Sequence, residues 1–283
     1  MKSKRTEGVY MNEKHLIVLD LDGTLLTDNK TISPRTKQTL LKLKENGHEV
    51  MIATGRPFRS SELYYRELGL TTPIVNFNGA FVHHPLQTSW GVYHSPLDIS
   101  VAKDIVEACD QFKYHNIIAE VRDDVYVHYH DEKLMDMFNV GNPIMKTGDL
   151  RNFLEDSPTS MLIHTDSQHV GQIRQHLSDV HAELVDHRRW AEPFHIIEII
   201  KSGLSKAVGL QRVSNYLDIP KDRIIAFGDE DNDLEMLDYA GTGVAMGNAI
   251  SPVKTVANTM TLTNEEDGIA VFLEEKFNLK SKS

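Results

Sequence analysis

The sequence predicts an α/β protein: a parallel-sheet core interrupted by an inserted α+β domain. Three observations carry this. Apolar strand-like runs alternate with helical stretches in the first third. Hairpin-like segments replace that alternation in the middle. The first pattern then returns to the end of the chain.

Taken in order, HLIVLDL (15–21) is a buried strand and PRTKQTLLKLKENG (34–47) a helix. Ser33 suits the helix N-cap, Pro34 the first helical position and Gly47 the stop. HEVMIAT (48–54) is a second strand and FRSSELYYRELGL (58–70) a second helix; TPIVNFNGAFV (72–82) is a third strand running into an Asn-Gly turn. Strands separated by helices of this length imply right-handed βαβ units. In the middle, DISVAKDIVEACDQF (98–112) and DEKLMDMF (131–138) read as helices. NIIAEVRDDVYVHYH (116–130) reads as a hairpin with an Arg-Asp-Asp turn, and residues 160–187 as strand, helix, strand. HIIEII (195–200), the helix from Leu204 to Leu217, RIIAFGD (223–229) and DNDLEMLDYA (231–240) resume the α/β pattern. We therefore expect an N-terminal extension over 1–12, a core formed by 13–84 plus 191–283, and an inserted domain over 85–190.

The chain has 283 residues, 40% hydrophobic and 25% charged, as expected of a globular protein. Its net charge of −11 argues against a nucleic-acid partner and against an anionic membrane surface. Cys109 is the only cysteine, so an intrachain disulfide and a cysteine metal cluster are excluded. The basic start lacks an apolar stretch behind it, and no apolar run approaches the ~20 residues of a membrane helix. The expectation is a cytoplasmic protein, monomer favoured, whose partner is a small molecule.

Open parallel sheets bind ligands at the carboxyl ends of their strands. Asp20, Asp22 and Thr24 follow the first strand; Thr54, Gly55 and Arg56 follow the second; Asn78 and Gly79 follow the third. Gly228, Asp229, Asp231, Asn232 and Asp233 follow strand 223–227. Carboxylates gathered on one edge repel one another, and an all-oxygen set favours Mg²⁺ as the balancing charge. Other readings stand beside this one: Asp22-Gly23 also suits a hairpin turn, and Asp229 and Asp231 also suit helix caps. Lys206 tips the balance. It falls in the first turn of a helix capped by Ser205 or Ser202, where a cation opposes the helix dipole at a cost of ~0.3–1 kcal/mol. A neighbouring anion removes that conflict.

Together these residues suit phosphoryl transfer. One carboxylate attacks phosphorus, and a second two positions on, kept protonated, donates to the leaving oxygen and then activates water. Mg²⁺ and a lysine neutralise the phosphoryl oxygens. Thr54 offers a hydroxyl and a backbone N–H.

DLDGTLL (20–26) resembles the signature of the haloacid dehalogenase-like hydrolases. ATGR (53–56), Lys206 in GLSKAVGL and GDEDND (228–233) resemble the family's later motifs, in order. The position of the insert, NGA (78–80) and TNEEDGIA (263–270) resemble the Cof-type phosphatases, which carry an α/β cap. The resemblance implies a Rossmann-like core and a substrate-selecting cap. It implies Asp20 as nucleophile and metal ligand, and Asp22 as general acid/base giving the metal its backbone carbonyl. It implies Asp229 and Asp233 at the metal, and Leu21, Thr54, Gly55, Lys206 and Asn232 around the phosphoryl group. The expected activity is Mg²⁺-dependent hydrolysis of a small phosphorylated metabolite through an aspartyl-phosphate. Sugar phosphates, flavin precursors, nucleotides and pyridoxal phosphate all lie within that branch. The alternatives are a phosphomutase and a non-catalytic phospho-ligand-binding protein.

Other signals carry less. GTGVAMG (241–247) has the wrong spacing for a dinucleotide fingerprint and reads as a strand. His128 and His130 read as one solvated face of a strand, and His83, His84 and His187 likewise carry no metal reading. Arg188, Arg189 and Trp190 either meet a substrate or form a charged linker.

Overall fold

The structure, a computed structural model, describes residues 13–189 and 195–279. The expected extension over 1–12 and Trp190 lie outside the described residues.

The core is a five-stranded parallel sheet. Its first strand, Leu16–Leu19, lies between Glu49–Ile52 and Ile224–Gly228 and pairs with both. Thr242–Ala245 and Thr259–Met260 extend the sheet beyond Ile224–Gly228. Leu16, Ile17, Val18 and Leu19 are all fully buried, which explains why this strand is apolar at every position rather than alternating. Truncating one of them to alanine would cost about 2–5 kcal/mol.

The helices follow their sequence signals. Pro34–Glu45 starts at Ser33, whose hydroxyl accepts from Thr36 N–H at 3.1 Å. It ends at Gly47, where φ is +89°. Leu40 and Leu43 face the core, and the helix packs beside Gly268–Lys276. Lys206–Tyr216 packs against Leu234–Tyr239, and that helix against Ser251–Val256.

The third predicted strand is broken. Ile74–Asn76 touches the main sheet through one parallel bridge, Ala53 to Val75. Phe77, Asn78 and Gly79 then take φ of +48°, +51° and +98°, and this run of left-handed residues reverses the chain. Phe81–His83 and Val92–His94 return antiparallel to form a small separate sheet.

The inserted domain is a six-stranded sheet ordered Val185–Arg189, Ile196–Lys201, Ser160–His164, Asn116–Val121, Asp124–Val127, Met145–Thr147. Helices Ile99–Cys109 and Ser167–His181 cover one face, packing on Ile117, Ala119, Met161, Ile163, Ile197 and Ile199. The alternate residues, among them Ile118, Leu162 and Ile196, point to the opposite face. The expected boundaries shift. Ile196–Lys201 pairs with Ser160–His164 and Val185–Arg189, so the cap continues to Lys201 rather than ending at 190. Val92–His94 pairs with the small core-side sheet, so the cap starts after it rather than at 85. The reason is pairing: Ile196–Lys201 is hydrogen-bonded on both edges by cap strands, a contact that its nearly continuous apolar run does not encode. Among the described residues, no helix is long and apolar enough to cross a membrane.

Candidate active site

The first strand delivers Asp20. Its N–H still bonds Phe227 O at 3.3 Å, so the parallel sheet fixes its place. Gly23, at φ +73°, turns the chain back, and Leu25 N–H reaches Asp20 O at 3.2 Å. A Cβ on Gly23 would lie 2.1 Å from Asp229 Oδ2, so glycine is needed for space as well as conformation.

Asp229 stands one residue beyond Ile224–Gly228, and its Oδ1 accepts from Thr24 Oγ1 at 2.6 Å. Asp233 ends the short turn Asp231–Asp233. Its Oδ2 accepts from the N–H groups of Asp229 and Glu230, at 2.9 and 3.1 Å. Ser205 caps the helix that Lys206 begins. Lys206 is fully buried, and its Nζ lies 2.6 Å from Asp20 Oδ1 and 2.8 Å from Asp233 Oδ1. The anions that reconcile a lysine with a helix N-terminus are thus two aspartates of the site itself.

Burial dominates the electrostatics. It pushes the Asp20 carboxyl up to about 7, with Lys206 opposing and the Asp233 charge adding. It pushes Asp229 up to about 8, helped by the charges of Asp20 and Asp233. Burial works against a charged Lys206, but Asp20 and Asp233 outweigh it and raise the ammonium above its usual range. Asp20, Asp229 and Asp233 offer oxygens within 4.8 Å of one another. Three carboxylates around one lysine, with two pushed toward neutrality, leave the cluster short of positive charge. An all-oxygen donor set of this kind fits Mg²⁺. The oxygens of Asp233 are already engaged by Lys206 and two N–H groups, which suits an indirect role at the metal.

Asp22 lies apart from this cluster. Arg56 grips its carboxylate with two contacts of 2.6 Å, and Lys30 Nζ approaches to 2.8 Å. Burial alone would raise its pKa, but Arg56 and Lys30 outweigh that and hold the carboxyl down at about 2. The sequence reading had Asp22 protonated; in this arrangement it is ionised. Thr54 also differs from expectation. Its N–H is committed to Val75 O at 2.9 Å, and its hydroxyl oxygen accepts from Arg56 N–H at 3.1 Å, which leaves the O–H to donate to a ligand. Leu21 is buried, with its carbonyl accepting from Thr24 and Leu26. Gly55 lies against Asn78, where an added Cβ would be 3.2 Å from the amide nitrogen.

Asn232 connects the site to the cap. Its Nδ2 donates to Asn78 Oδ1 at 3.0 Å, and Asn78 Nδ2 donates to Glu198 Oε2 of the cap at 3.2 Å. Arg188, from the neighbouring cap strand, reaches Glu235 at 3.2 Å and Asp231 at 3.7 Å. Asp231 therefore faces the cap. Sequence reasoning missed Glu198, and also the buried contact of Arg59 Nη2 with Glu120 Oε1 that joins the core to the cap at 2.5 Å. A lone acid inside HIIEII or NIIAEV was the available signal. His128 is buried rather than solvated, and its Nδ1 accepts from Leu150 N–H at 3.1 Å. His130 is exposed.

The haloacid dehalogenase-like hydrolase family matches residues 17–273 of the chain. The 5-amino-6-(5-phospho-D-ribitylamino)uracil phosphatase YitU of Bacillus subtilis is 60% identical over 265 residues, covering 94% of this chain and 98% of that protein. The pyridoxal phosphate phosphatase YbhA of Escherichia coli is 29% identical over 289 residues, covering 91% and 97%. Among solved structures, a haloacid dehalogenase-like hydrolase from Bacteroides thetaiotaomicron has a TM-score of 0.80 at 30% identity, over 94% of this chain and 100% of that one. With the signature motifs gathered at one sheet edge under a cap, the chain belongs to the haloacid dehalogenase-like hydrolases, as a phosphoric monoester hydrolase of the Cof type.

Proposed function

We propose that this enzyme is a Mg²⁺-dependent phosphatase that removes the phosphate of 5-amino-6-(5-phospho-D-ribitylamino)uracil through an aspartyl-phosphate on Asp20. The observation that carries the substrate is the 60% identity, across 94% of the chain, to a phosphatase of that specificity. The buried cluster of Asp20, Lys206, Asp229 and Asp233 supports the mechanism.

Asp20 attacks phosphorus, and the bond from phosphorus to the leaving oxygen breaks. Lys206 lies against the nucleophile and holds positive charge beside the transferring group. The Thr54 hydroxyl, the Leu21 and Gly55 backbone and the Asn232 amide bind phosphoryl oxygens. Asp20, Asp229 and the Asp22 carbonyl would hold Mg²⁺, with Asp233 behind them. The metal, when bound, supplies charge neutralisation for the nucleophile and the phosphoryl oxygens. Asp22 has two tasks. As the carboxylate it is here, it is the competent base to take a proton from the water that hydrolyses the acyl phosphate. To donate to the leaving oxygen first, it must gain a proton, which requires loosening of its contacts with Arg56 and Lys30.

The test is phosphate release across a panel of phosphorylated metabolites, with Mg²⁺ and with EDTA, for the wild type and Asp20→Asn. The ribitylaminouracil phosphate should exceed the other compounds by orders of magnitude, and depend on both Mg²⁺ and Asp20. A different preferred compound would overturn the substrate assignment. Substantial activity in Asp20→Asn would overturn the nucleophile.

A further inference from the structure

Asn78 sits where four separate segments meet, and it is almost fully buried. It takes the left-handed conformation, φ +51°, which asparagine tolerates better than most residues. Its backbone N–H donates to Thr54 O at 3.1 Å. Its amide lies flat against Gly55, where a Cβ would be 3.2 Å from Nδ2 and 3.3 Å from Oδ1. The next residue, Gly79, presses on the helix that Lys206 begins: a Cβ there would lie 2.3 Å from Ser205 O. Thr54, Gly55 and Lys206 are thus all bordered by this one turn.

The side chain of Asn78 then joins two residues from different domains. Its Oδ1 accepts from Asn232 Nδ2 at 3.0 Å, and its Nδ2 donates to Glu198 Oε2 at 3.2 Å. The direction of this chain is set at the cap end. An ionised carboxylate offers acceptors alone, so Glu198 draws the NH2 group of Asn78 toward itself. That turns the Asn78 carbonyl oxygen to Asn232 and makes the Asn232 NH2 group the donor. Glu198 and Asn78 are 7% and 2% exposed, so water does not readily replace either partner. Arg188, which stands in register with Glu198, reaches Asp231 at 3.7 Å and Glu235 at 3.2 Å. Two paired cap residues therefore hold the loop that carries Asn232, but only Glu198 reaches it through a buried amide.

We propose that Glu198 is a positioning residue for phosphoryl binding: through Asn78 it holds the Asn232 amide in place, so that seating the cap completes the phosphoryl site. The inference rests on the reading above that Asn232 binds phosphoryl oxygens, and it assigns a part in that site to the cap.

The experiment measures competitive inhibition by inorganic phosphate of para-nitrophenyl phosphate hydrolysis, using the full chain with Mg²⁺. Glu198→Ala and Asn78→Ala should each raise the inhibition constant about five- to tenfold, the effect of losing one buried hydrogen bond in the chain. Glu198→Gln keeps an acceptor oxygen for Asn78 and should stay close to wild type. The double variant Asn78→Ala/Glu198→Ala should be no weaker than Asn78→Ala, because Glu198 acts through Asn78. Arg188→Met, which loosens the neighbouring cap contact without touching the amides, should leave phosphate inhibition near the wild-type value. An additive loss in the double variant, or an equal loss in Arg188→Met, would make Glu198 a general cap-closing contact and overturn the inference. If Asn78→Ala fails to fold, the contrast between Glu198→Ala and Glu198→Gln decides: equal inhibition constants overturn the inference. A wild type that phosphate does not inhibit would overturn the phosphoryl-site reading instead.

Discussion

Lys206 Nζ lies 2.8 Å from Asp233 Oδ1, and neither side chain is exposed to any extent. Desolvating both charges costs more than a well-packed apolar pair would, so stability alone gives little reason for the arrangement. Its use is to hold a cation beside Asp20. Lys206→Met should lower kcat by about 10²–10³ or more. It should also destabilise the fold by about 3–5 kcal/mol, because Asp20 and Asp233 lose their counter-charge. Denaturant melts and phosphate release measure the two effects; near-normal turnover would refute the role.

Gly23→Ala tests the turn. Its Cβ would press on the Asp229 carboxylate from 2.1 Å, at a φ that alanine resists. The expected outcome is a loss of about 1–3 kcal/mol together with weaker Mg²⁺ activation. Unchanged metal dependence in a titration would show that Asp229 can move aside freely.

Asp22→Asn should slow hydrolysis by about 10²–10⁴, with substrate affinity close to that of the wild type. Arg56→Met should let the Asp22 pKa climb from about 2 toward the ordinary carboxylate range. The acid limb of the pH–rate profile should then move to higher pH. A limb that stays put would mean that another group titrates there.

His83 predicts a pH dependence of stability. Burial, with a smaller push from His84, lowers its pKa from 6.5 to about 4. Its ring sits between Phe58 and Phe81, with centroids 4.7 Å from each. Between about 4 and 6.5 the unfolded chain binds the proton and the folded chain does not, so stability falls as the pH drops through that window. His83→Gln should lose less Tm than wild type between pH 7 and pH 5; identical slopes would rule this histidine out.

Much of this was legible in the sequence because it is local. Buried parallel strands are apolar at every position, so Leu16–Leu19 and Ile224–Gly228 announce themselves. The strand-end rule then gathers Asp20 with Asp229 and Asp233 from two separate segments. The cap boundary was harder. HIIEII reads equally well as a strand of either domain, and only its pairing with Ser160–His164 assigns it to the cap.

By itself, the sequence determined the order of strands and helices, the chemistry at the strand ends and the position of Lys206, because propensity, capping and strand-end position act over a few residues. Only the tertiary structure decided which charges meet. It turned Asp22 to Arg56, committed the Thr54 N–H to Val75, and brought Arg59 to Glu120 across the two domains. Those contacts join residues far apart in the chain, and their partners are set by how two sheets stack, which no local pattern encodes.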